Sequence, residues 1–377
     1  MMMPAGSPRL SICFPLEGLG TSGGVRIVVA LANGFVGLGH TVTIFAPDYA
    51  PRSPFPIDPR VDVRILRTMG GGALRKVGYL AQLCWWATVG FDVVYATGFK
   101  TAWYIVISRC IRRSHAMLAY LLQGYDARTA AWNGRGNPLS RALLFAIAKS
   151  GYWLSLRHIA VSDWVAGKTG RRETHVIPAG ISLSVFRPVE VAVRSSRRFV
   201  VGTVASRAPA KGYAVFLDAI GGLPDEAAAG MQVVVASFEN VSLPTKVEAR
   251  LLRPTSDEDL VAFYHLCDVF VFASYMEGFG LPPLEAMACG VPVVTTECGG
   301  VREFASEQNA LMIPPGRPDL IRDAILRLQG DSELRERLRR NGIEVARQFS
   351  VSKMVRAHEA LLTRWHPSVS DRTASFK

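Results

Sequence analysis

Cysteine motifs at metal-binding or redox spacing are missing from this sequence. Its 377 residues include six cysteines, at positions 13, 84, 110, 267, 289 and 298, and none of them forms a Cys-x-x-Cys pair. Such scattered cysteines argue against a zinc site and against a framework of disulfides. A protein of a reducing compartment is predicted, with the cytoplasm as its location.

Long uninterrupted apolar segments are missing as well. The most apolar region, residues 77–111, contains Asp92 and Lys100, so it falls short of the length that a membrane-spanning helix needs. The first apolar run is short and ends before Glu17, which is not the pattern of a secretory signal. The chain is therefore expected to be a globular protein, long enough for two domains of ordinary size.

Acidic residues are scarce in the first half of the chain. Residues 1–186 hold 20 lysines and arginines against 8 acidic residues, whereas residues 187–377 hold 23 of each. The whole net charge of +12 thus lies in the first half. A basic field attracts acidic lipid headgroups, nucleic acid or a phosphate-bearing substrate. A solubilising surface without any partner is the alternative interpretation.

A strict dinucleotide fingerprint is also lacking. A predicted strand at residues 9–14 leads into a glycine-containing loop with Gly23 and Gly24, and a helical pattern follows at 25–38. Such a turn offers close backbone approach and a helix N-terminus to an anion. Because the loop is long and does not follow Gly-x-Gly-x-x-Gly, it disfavours a nicotinamide-dependent oxidoreductase.

The most informative segment that is present covers residues 273–290. It lies between two apolar runs and predicts a strand, a loop rich in glycine and proline, a short helix and another strand. Glu277 and Glu285 stand eight positions apart in it. The backbone amides between them form a candidate anion site at the helix N-terminus, and they belong to Gly278, Phe279, Gly280 and Leu281.

Carboxylates accept hydrogen bonds from sugar hydroxyls, and free amides bind phosphate oxygens, so this segment suits a nucleoside diphosphate sugar. Taken singly, Glu285 could merely favour the helix dipole and Glu277 could be a solvated loop residue. A pair of cations elsewhere in the sequence also favours such a ligand. Arg207 and Lys211 follow the predicted strand at 199–205, where two long cations can hold one diphosphate.

These motifs resemble those of the retaining glycosyltransferases of the GT-B fold, family-4 type. Residues 273–290 resemble the Glu-x7-Glu signature of that family, and residues 297–303 resemble its Gly-Gly loop with an acidic residue. The segment from Arg207 to Lys211 and Gly212 resembles its Arg-x-x-x-Lys-Gly motif. The resemblance is strong over residues 199–303 and looser before Gln123.

The resemblance implies an α/β protein with two Rossmann-like domains facing across a cleft and a C-terminal helix that crosses back to the first domain. It implies a metal-independent hexosyl- or deoxyhexosyltransferase that uses a nucleoside diphosphate sugar as co-substrate and no other cofactor. In that family, Arg207 and Lys211 would hold the diphosphate, Glu277 the sugar and Glu285 the ribose. The base would lie near Pro254.

The chain departs from the family after the predicted strand at 117–122. A histidine close to the transferred sugar is frequent there, but this sequence has Gln123, with Asp126 three residues on. Glutamine can donate and accept hydrogen bonds but cannot titrate. We take both residues as catalytic candidates. Gly23 and Gly24 match the family's Gly-Gly loop, which faces the acceptor and the donor phosphates.

The predicted domains are residues 1–186 for the acceptor, 187–350 for the nucleotide sugar, 351–366 for the returning helix, and a disordered tail at 367–377. Arg109, Arg112 and Arg113 end a predicted helix. They are the candidate contact with an anionic membrane, at the inner face of the cytoplasmic membrane. Alternatively, they only favour a helix C-terminus.

The predicted function is retaining transfer of a sugar to a hydroxyl of a glycan or lipid-linked acceptor, in surface polysaccharide or lipopolysaccharide synthesis, with no nucleic acid partner. Two alternatives remain open. One is a sugar-nucleotide epimerase or hydrolase of the same fold, and the other is a non-catalytic sugar-nucleotide-binding module, which the glutamine at position 123 makes conceivable.

Overall fold

The computed structural model describes residues 9–49, 53–133, 137–189 and 198–366. The chain divides into two compact units, Met1–Pro178 with Val351–Lys377 and Ala179–Ser350. This division falls eight residues before the boundary expected after residue 186. The reason is that residues 179–186 pack within the second unit: Ile181 donates to the Phe349 carbonyl (2.9 Å), and the Phe186 and Tyr264 rings lie 6.3 Å apart. The tail at 367–377 lies outside the described residues.

The first unit contains a parallel seven-stranded sheet with the order β3-β2-β1-β4-β5-β6-β7. Its central strands are buried along all or nearly all of their length, as expected for a sheet covered by helices on both faces. The strands are β1 (Ser11–Pro15), β2 (Thr41–Pro47), β3 (Asp62–Leu66), β4 (Val93–Ala96), β5 (Met117–Leu122), β6 (Arg157–Ala160) and β7 (Thr174–Val176).

The helices of this unit connect the strands by crossovers, which are right-handed in parallel sheets. The described helices before the second unit are α1 (Gly23–Gly37), α2 (Gly72–Trp86), α3 (Phe99–Arg112), α4 (Asp126–Asn133), α5 (Pro138–Ser150) and α6 (Asp163–Thr169). Since β2 lies on one side of β1 and β4 to β7 on the other, α1 covers one face of the sheet. Helices α2, α3 and α5 cover the other face, where α3 packs between α2 and α5.

One predicted helix is shorter than expected. The apolar pattern at 139–156 predicts a single helix, but α5 ends at Ser150 and a 3-10 turn, Gly151–Trp153, follows. At this turn the chain packs on the start of α3, since a Cβ added to Gly151 would lie in van der Waals contact with Phe99, 3.4 Å from its Cβ. Such a tertiary contact is not visible in the periodicity of the sequence.

The second unit contains a parallel six-stranded sheet with the order β10-β9-β8-β11-β12-β13. Its strands are β8 (Phe199–Val204), β9 (Met231–Ala236), β10 (Glu248–Leu252), β11 (Val269–Phe272), β12 (Val293–Thr296) and β13 (Leu311–Ile313). Its helices are α7 (Tyr213–Gly221), α8 (Asp225–Ala229), α9 (Asp257–Leu266), α10 (Leu281–Ala288), α11 (Pro318–Gly330) and α12 (Ser332–Ala346).

The C-terminal helix α13 (Val351–Trp365) belongs to the first unit, which confirms the expected return of the chain. It packs so closely on α1 that a Cβ added to Gly34 would lie 2.4 Å from a methyl group of Val355. The Tyr95 hydroxyl bonds with His358 Nδ1 (3.2 Å) in the core, where burial lowers the pKa of His358 to about 3. None of the described helices has both the length and the apolarity that a transmembrane span requires.

Each sheet has one point where the strand order reverses, between β1 and β4 in the first unit and between β8 and β11 in the second. The connections that leave two such neighbouring strands run to opposite sides of the sheet. This opens a crevice at the carboxyl ends of the strands, where ligands bind in open α/β sheets. Both candidate sites described below lie at these two reversal points.

Candidate active site

The connection after β8 carries Lys211 to the reversal point of the second sheet. It forms a 3-10 turn, Pro209–Lys211, that ends at Gly212 with a φ of 65°. A Cβ added to Gly212 would lie 1.9 Å from the Ala273 carbonyl oxygen. Glycine is therefore required here, both for the left-handed backbone and for the close contact with the segment after β11. That contact includes a hydrogen bond from the Tyr275 N–H to the Ala210 carbonyl (2.8 Å).

The centre of the site is an ion pair between Lys211 and Glu277. The Lys211 Nζ donates to both carboxylate oxygens of Glu277, at 2.8 and 3.0 Å. The Ser274 hydroxyl donates to Oε1 of the same carboxylate at 2.8 Å. The charge of Glu277 is the main cause of a raised pKa of Lys211, so the ammonium stays charged at neutral pH. Two side chains 66 residues apart thus meet in one site.

The loop that carries Glu277 is held in place by its backbone. The backbone N–H of Glu277 donates to the Cys298 carbonyl (2.8 Å), and the backbone carbonyl of Glu277 accepts from the Gly300 N–H (3.0 Å). A Cβ added to Gly300 would lie 1.8 Å from the Gly278 carbonyl oxygen, so only glycine allows this approach. The predicted Gly-Gly loop at residues 297–303 therefore has a structural role, because it fixes the backbone of the Glu277 loop.

Two of the four residues whose amides were expected to face an anion lie at the start of α10. Gly280, with a φ of 95°, is the N-cap of α10, and Leu281 is its first residue, so both lie at the helix N-terminus as expected. Phe279, in contrast, is buried, with its ring 5.4 Å from that of Phe304 and 5.8 Å from that of Phe349. Its side chain holds the loop to the core.

Glu285, the second glutamate of the motif, lies in a different environment from Glu277. It is on the inner side of α10 and only 2% exposed. The hydroxyl of Tyr264, from α9, donates to its Oε2 at 2.8 Å, and Tyr264 is itself fully buried. A buried carboxylate needs such a donor, because without one its burial costs free energy. Tyr264 therefore positions the carboxylate that was expected to bind ribose.

Replacement of Tyr264 by phenylalanine is expected to lower the free energy of unfolding by about 1.5–3 kcal/mol, the range for losing a buried hydrogen bond to a charged group. Urea unfolding measures this change. The matched control is Tyr213→Phe, whose hydroxyl donates to the Ser242 carbonyl (2.6 Å) in a more exposed place. It should cost no more than about 1 kcal/mol. Equal losses in the two variants would contradict the positioning role of Tyr264.

Arg207 and Pro254 lie at the carboxyl ends of β8 and β10, on the same edge of the sheet. The side chain of Arg207 is exposed, and its backbone N–H donates to the Glu239 carboxylate. Pro254 is buried two residues after β10. Both therefore stand at the carboxyl edge of the sheet, the edge at which open α/β sheets bind ligands.

The first unit has its own cavity at the reversal point of its sheet, with a volume of about 330 Å³. Its lining comes from the carboxyl ends of β1, β4 and β5 and from the start of α1. It is formed by Leu16, Glu17, Gly18, Gly20, Ser22, Gly24, Val25, Thr97, Gly98 and Gln123. Gly23 is the first residue of α1, and the Ser22 hydroxyl caps that helix by accepting from the Val25 N–H (3.3 Å).

Gln123 lines this cavity, and its Oε1 lies 2.5 Å from where a Cβ of Gly24 would be. The Oε1 atom is buried, and among the described residues no donor reaches it. Such an unsatisfied acceptor is costly unless a ligand or water supplies a hydrogen bond. The position that carries histidine in much of the family is therefore able to accept a hydrogen bond from a ligand hydroxyl.

Asp126 has a different environment from Gln123. It is the first residue of α4, and its carboxylate accepts a short hydrogen bond from the Tyr120 hydroxyl (2.5 Å). Burial raises the pKa of Asp126 from its ordinary 3.8 to about 6, although the hydrogen bond from Tyr120 opposes this shift. The structure thus gives Asp126 a partner within the first unit and places Gln123 at the cavity.

The raised pKa of Asp126 predicts a pH dependence of stability. Between about pH 4 and 6 the unfolded chain loses this proton while the folded chain keeps it, so stability should fall as pH rises through that window. The fall due to this carboxyl is at most about 3 kcal/mol. The contribution of this carboxyl to the fall in stability should vanish in Asp126→Asn, and urea unfolding at pH 4 and pH 7 measures it. Asp58→Asn is the control: Arg60 holds the pKa of Asp58 at about 2, below this window.

The basic cluster lies at the end of α3, as predicted. Arg109 and Arg112 are in the last turn of the helix, and Arg113 is its C-cap with a φ of 49°. The guanidinium of Arg112 lies over the Trp85 ring of α2, 4.5 Å from its centroid. The arginines thus favour the helix C-terminus and also border an aromatic surface.

Several residues of these sites were not singled out from the sequence. Thr97 directly follows β4, and Glu17 and Ser274 stand two residues after the ends of β1 and β11. The rule that ligands gather at strand carboxyl ends could have found all three. Tyr264 has no such signal, because it reaches Glu285 from the helix before β11. Among the described residues, no group of three or more histidine, cysteine, aspartate or glutamate side chains could hold a metal ion.

Comparison with known proteins shows which class of protein this chain belongs to. The model of the family "Glycosyl transferases group 1" matches residues 190–345, and that of "Glycosyltransferase Family 4" matches residues 21–185. A crystal structure of Anabaena Alr3699/HepE with UDP-glucose has a TM-score of 0.73 at 18% identity, over 94% of this chain and all of that chain. The fold is that of the GT-B glycosyltransferases. The chain belongs to the group 1 glycosyltransferases of the family-4 type.

Curated relatives match over shorter segments. O-antigen chain mannosyltransferase B of Escherichia coli is 41% identical over 101 residues, which are 27% of this chain and 26% of that protein. D-inositol 3-phosphate glycosyltransferase of Corynebacterium efficiens is 34% identical over 124 residues, which are 32% of this chain and 29% of that protein. The chain thus spans less than a third of each of these two relatives.

Proposed function

We propose that this protein is a retaining glycosyltransferase that moves a hexosyl or deoxyhexosyl group from a nucleoside diphosphate sugar to a hydroxyl of a glycan or lipid-linked acceptor. The observation that carries the proposal is the contact of Lys211 with Glu277 at the reversal point of the second sheet. A cation for a diphosphate and a carboxylate for sugar hydroxyls stand there within hydrogen-bond distance. Anabaena HepE, which shares the fold, has been crystallised with UDP-glucose.

In the proposed reaction, the bond between the sugar C1 and the diphosphate breaks while the acceptor oxygen forms a bond to C1 on the same face. The proton of the acceptor hydroxyl passes to the leaving diphosphate. Lys211, Arg207 and the amides of Gly280 and Leu281 would stabilise the negative charge that develops on the diphosphate. Glu277 would then exchange part of its contact with Lys211 for a sugar hydroxyl.

The positive charges of Lys211 and Arg207 supply the electrostatic stabilisation in this proposal, so no metal or further cofactor is invoked. Glu285, held by Tyr264, would accept from the ribose hydroxyls, and the base would lie near Pro254. Gln123 would accept from the transferred sugar or the acceptor through its unsatisfied Oε1. Gly23 and Gly24 would bring the start of α1 towards a phosphate. Asp126 acts in this scheme through Tyr120 and the position of α4.

The acceptor is proposed to belong to surface polysaccharide or lipopolysaccharide synthesis. The similarity to O-antigen chain mannosyltransferase B supports this assignment. The positive charge of residues 1–186 suits a phosphate-bearing lipid-linked acceptor at the inner face of the cytoplasmic membrane. Arg109, Arg112 and Arg113 would then contact anionic headgroups.

The proposal is tested by incubating the protein with a panel of nucleoside diphosphate sugars and lipid-linked oligosaccharide acceptors, followed by NMR of the product. The expected result is a new glycosidic bond with the anomeric configuration of the donor. A product of inverted configuration would contradict the retaining mechanism. Free sugar formed at the same rate without any acceptor would instead identify a hydrolase.

A further inference from the structure

Exposed apolar side chains are concentrated on one layer of the first unit. Of the 15 large apolar side chains that are exposed among the described residues, 10 lie on α2, α3, α5 and the turn Gly151–Trp153. These elements cover one face of the sheet and adjoin, because α3 packs between α2 and α5 and the turn contacts both α3 and α5. We call them the helical layer. Single exposed apolar residues are ordinary, but a contiguous group marks an interaction surface.

Helix α5 is the most unusual part of the helical layer. Of its 13 residues only Ala148 is buried. Leu139, Leu143 and Ile147 stand four residues apart and are 77%, 61% and 44% exposed, so they form one apolar stripe along the helix. Trp153, in the turn that follows the helix, is also exposed, at 68%. An amphipathic helix normally turns such a stripe towards the core, whereas α5 presents it outward.

The charge around the stripe is almost entirely positive. Residues 72–157, which include the whole helical layer, contain 11 lysines and arginines and only 2 acidic residues. Both acidic side chains are engaged inside the unit, Asp92 with the Ser11 N–H (2.9 Å) and Asp126 with Tyr120 (2.5 Å). Arg112, stacked on Trp85, ties a cation to the exposed aromatic surface itself.

We infer that the helical layer docks on an anionic lipid bilayer, with the stripe of α5 and Trp153 inserted among the acyl chains and the cations at the headgroups. Apolar and aromatic side chains bordered by lysine and arginine have the chemistry of helices that lie in a membrane interface. At 13 residues, α5 is too short to span a bilayer. A second copy of the chain fits the surface less well, since two surfaces of the same positive charge repel.

This inference deepens the membrane contact of the proposed function, to which Arg109, Arg112 and Arg113 contribute only electrostatically. Contact through cations alone is lost at 1 M salt, where the Debye length is about 3 Å. Insertion of apolar side chains survives high salt, because it follows from removal of apolar surface from water. The salt dependence of binding therefore separates the two kinds of contact.

The test is cosedimentation of the full chain with vesicles of phosphatidylcholine and phosphatidylglycerol in equal parts, at 0.1 M and 1 M NaCl. Wild type should bind at both salt concentrations. The variant Leu139→Ser/Leu143→Ser/Ile147→Ser should show a partition coefficient lower by at least about tenfold at 1 M NaCl. Trp153→Ser, which leaves α5 intact, should lower it several-fold. Circular dichroism and thermal unfolding establish that each variant is folded.

The matched control is Val189→Ser/Phe238→Ser, which removes two exposed apolar side chains from the second unit and should bind as wild type does. Lys211→Ala should also bind normally while losing turnover, so failure of the docking surface and failure of the proposed catalysis are distinguishable. Equal binding of the triple variant and wild type at 1 M NaCl would overturn the inference. The inference would also be overturned if wild type did not bind vesicles and instead formed a dimer that the triple variant does not form.

Discussion

Lys211→Ala is expected to lower the turnover number at saturating donor by roughly 10²–10³, the scale for losing one preorganised group that stabilises charge in the transition state. The ammonium lies 2.8 Å from Glu277, on a turn that is fixed by the close packing of Gly212 against Ala273. An alanine there leaves the diphosphate without this cation when the sugar bond breaks. Steady-state kinetics of sugar transfer measure the loss.

Two controls separate this electrostatic effect from others. Lys246→Ala removes a lysine of the same unit that pairs with Asp225 at the surface, and it should change turnover less than about twofold. Lys211→Arg keeps the positive charge and should retain more activity than Lys211→Ala. Near-normal turnover of Lys211→Ala would remove Lys211 from the proposed site. Equal loss in the arginine variant would show that shape, not charge, is what the position supplies.

Gly300→Ala is expected to have the second large effect. The added Cβ would lie 1.8 Å from the Gly278 carbonyl oxygen and 2.8 Å from the Phe279 Cα, and backbone atoms cannot rotate away as a side chain can. The Glu277 loop must move, with an expected loss of about 1–3 kcal/mol in the free energy of unfolding. Because a shift of about 1 Å can cost roughly 10² in rate, turnover should fall at least that much.

Urea unfolding and steady-state kinetics together test this prediction. The matched control is Gly330→Ala at the end of α11, where nothing lies within 4 Å of the added Cβ. It should leave turnover unchanged and stability equal or slightly higher. If Gly300→Ala behaved like Gly330→Ala, the clamp between the Glu277 loop and residues 298–300 would not hold the site in place.

The fold could be predicted from the sequence because its signals are local and repeated. Most of the parallel strands are short apolar runs, and many of them are followed by a glycine-containing turn or a helical pattern. The α/β class and the returning helix at residues 351–365 are confirmed. The predicted end of α5 was wrong: the helix ends at Ser150, and the packing of the following turn on Phe99 leaves no periodic signal in the sequence.

The candidate site was partly predictable for a related reason. Lys211 and Glu277 each lie in the connection that follows a strand, so parallel topology places them at one edge of the sheet, and the structure brings them into contact. Neither the contact of Tyr264 with Glu285 nor the partner of Asp126 could be predicted, since both depend on how helices pack on the sheets. The outward stripe of α5 was also missed, because an apolar helix pattern normally predicts a buried face.

The measurement that tests the donor site most directly is a thermal-shift panel of UDP, GDP, dTDP, CDP and NAD against wild type and Lys211→Ala. A ligand at a hundred times its dissociation constant should stabilise the protein by about 2.7 kcal/mol, which is visible as several degrees in Tm. We expect one nucleoside diphosphate to raise the Tm of wild type and to leave that of Lys211→Ala almost unchanged. A shift with NAD alone, or the same shift in both proteins, would contradict a nucleoside diphosphate site built on Lys211.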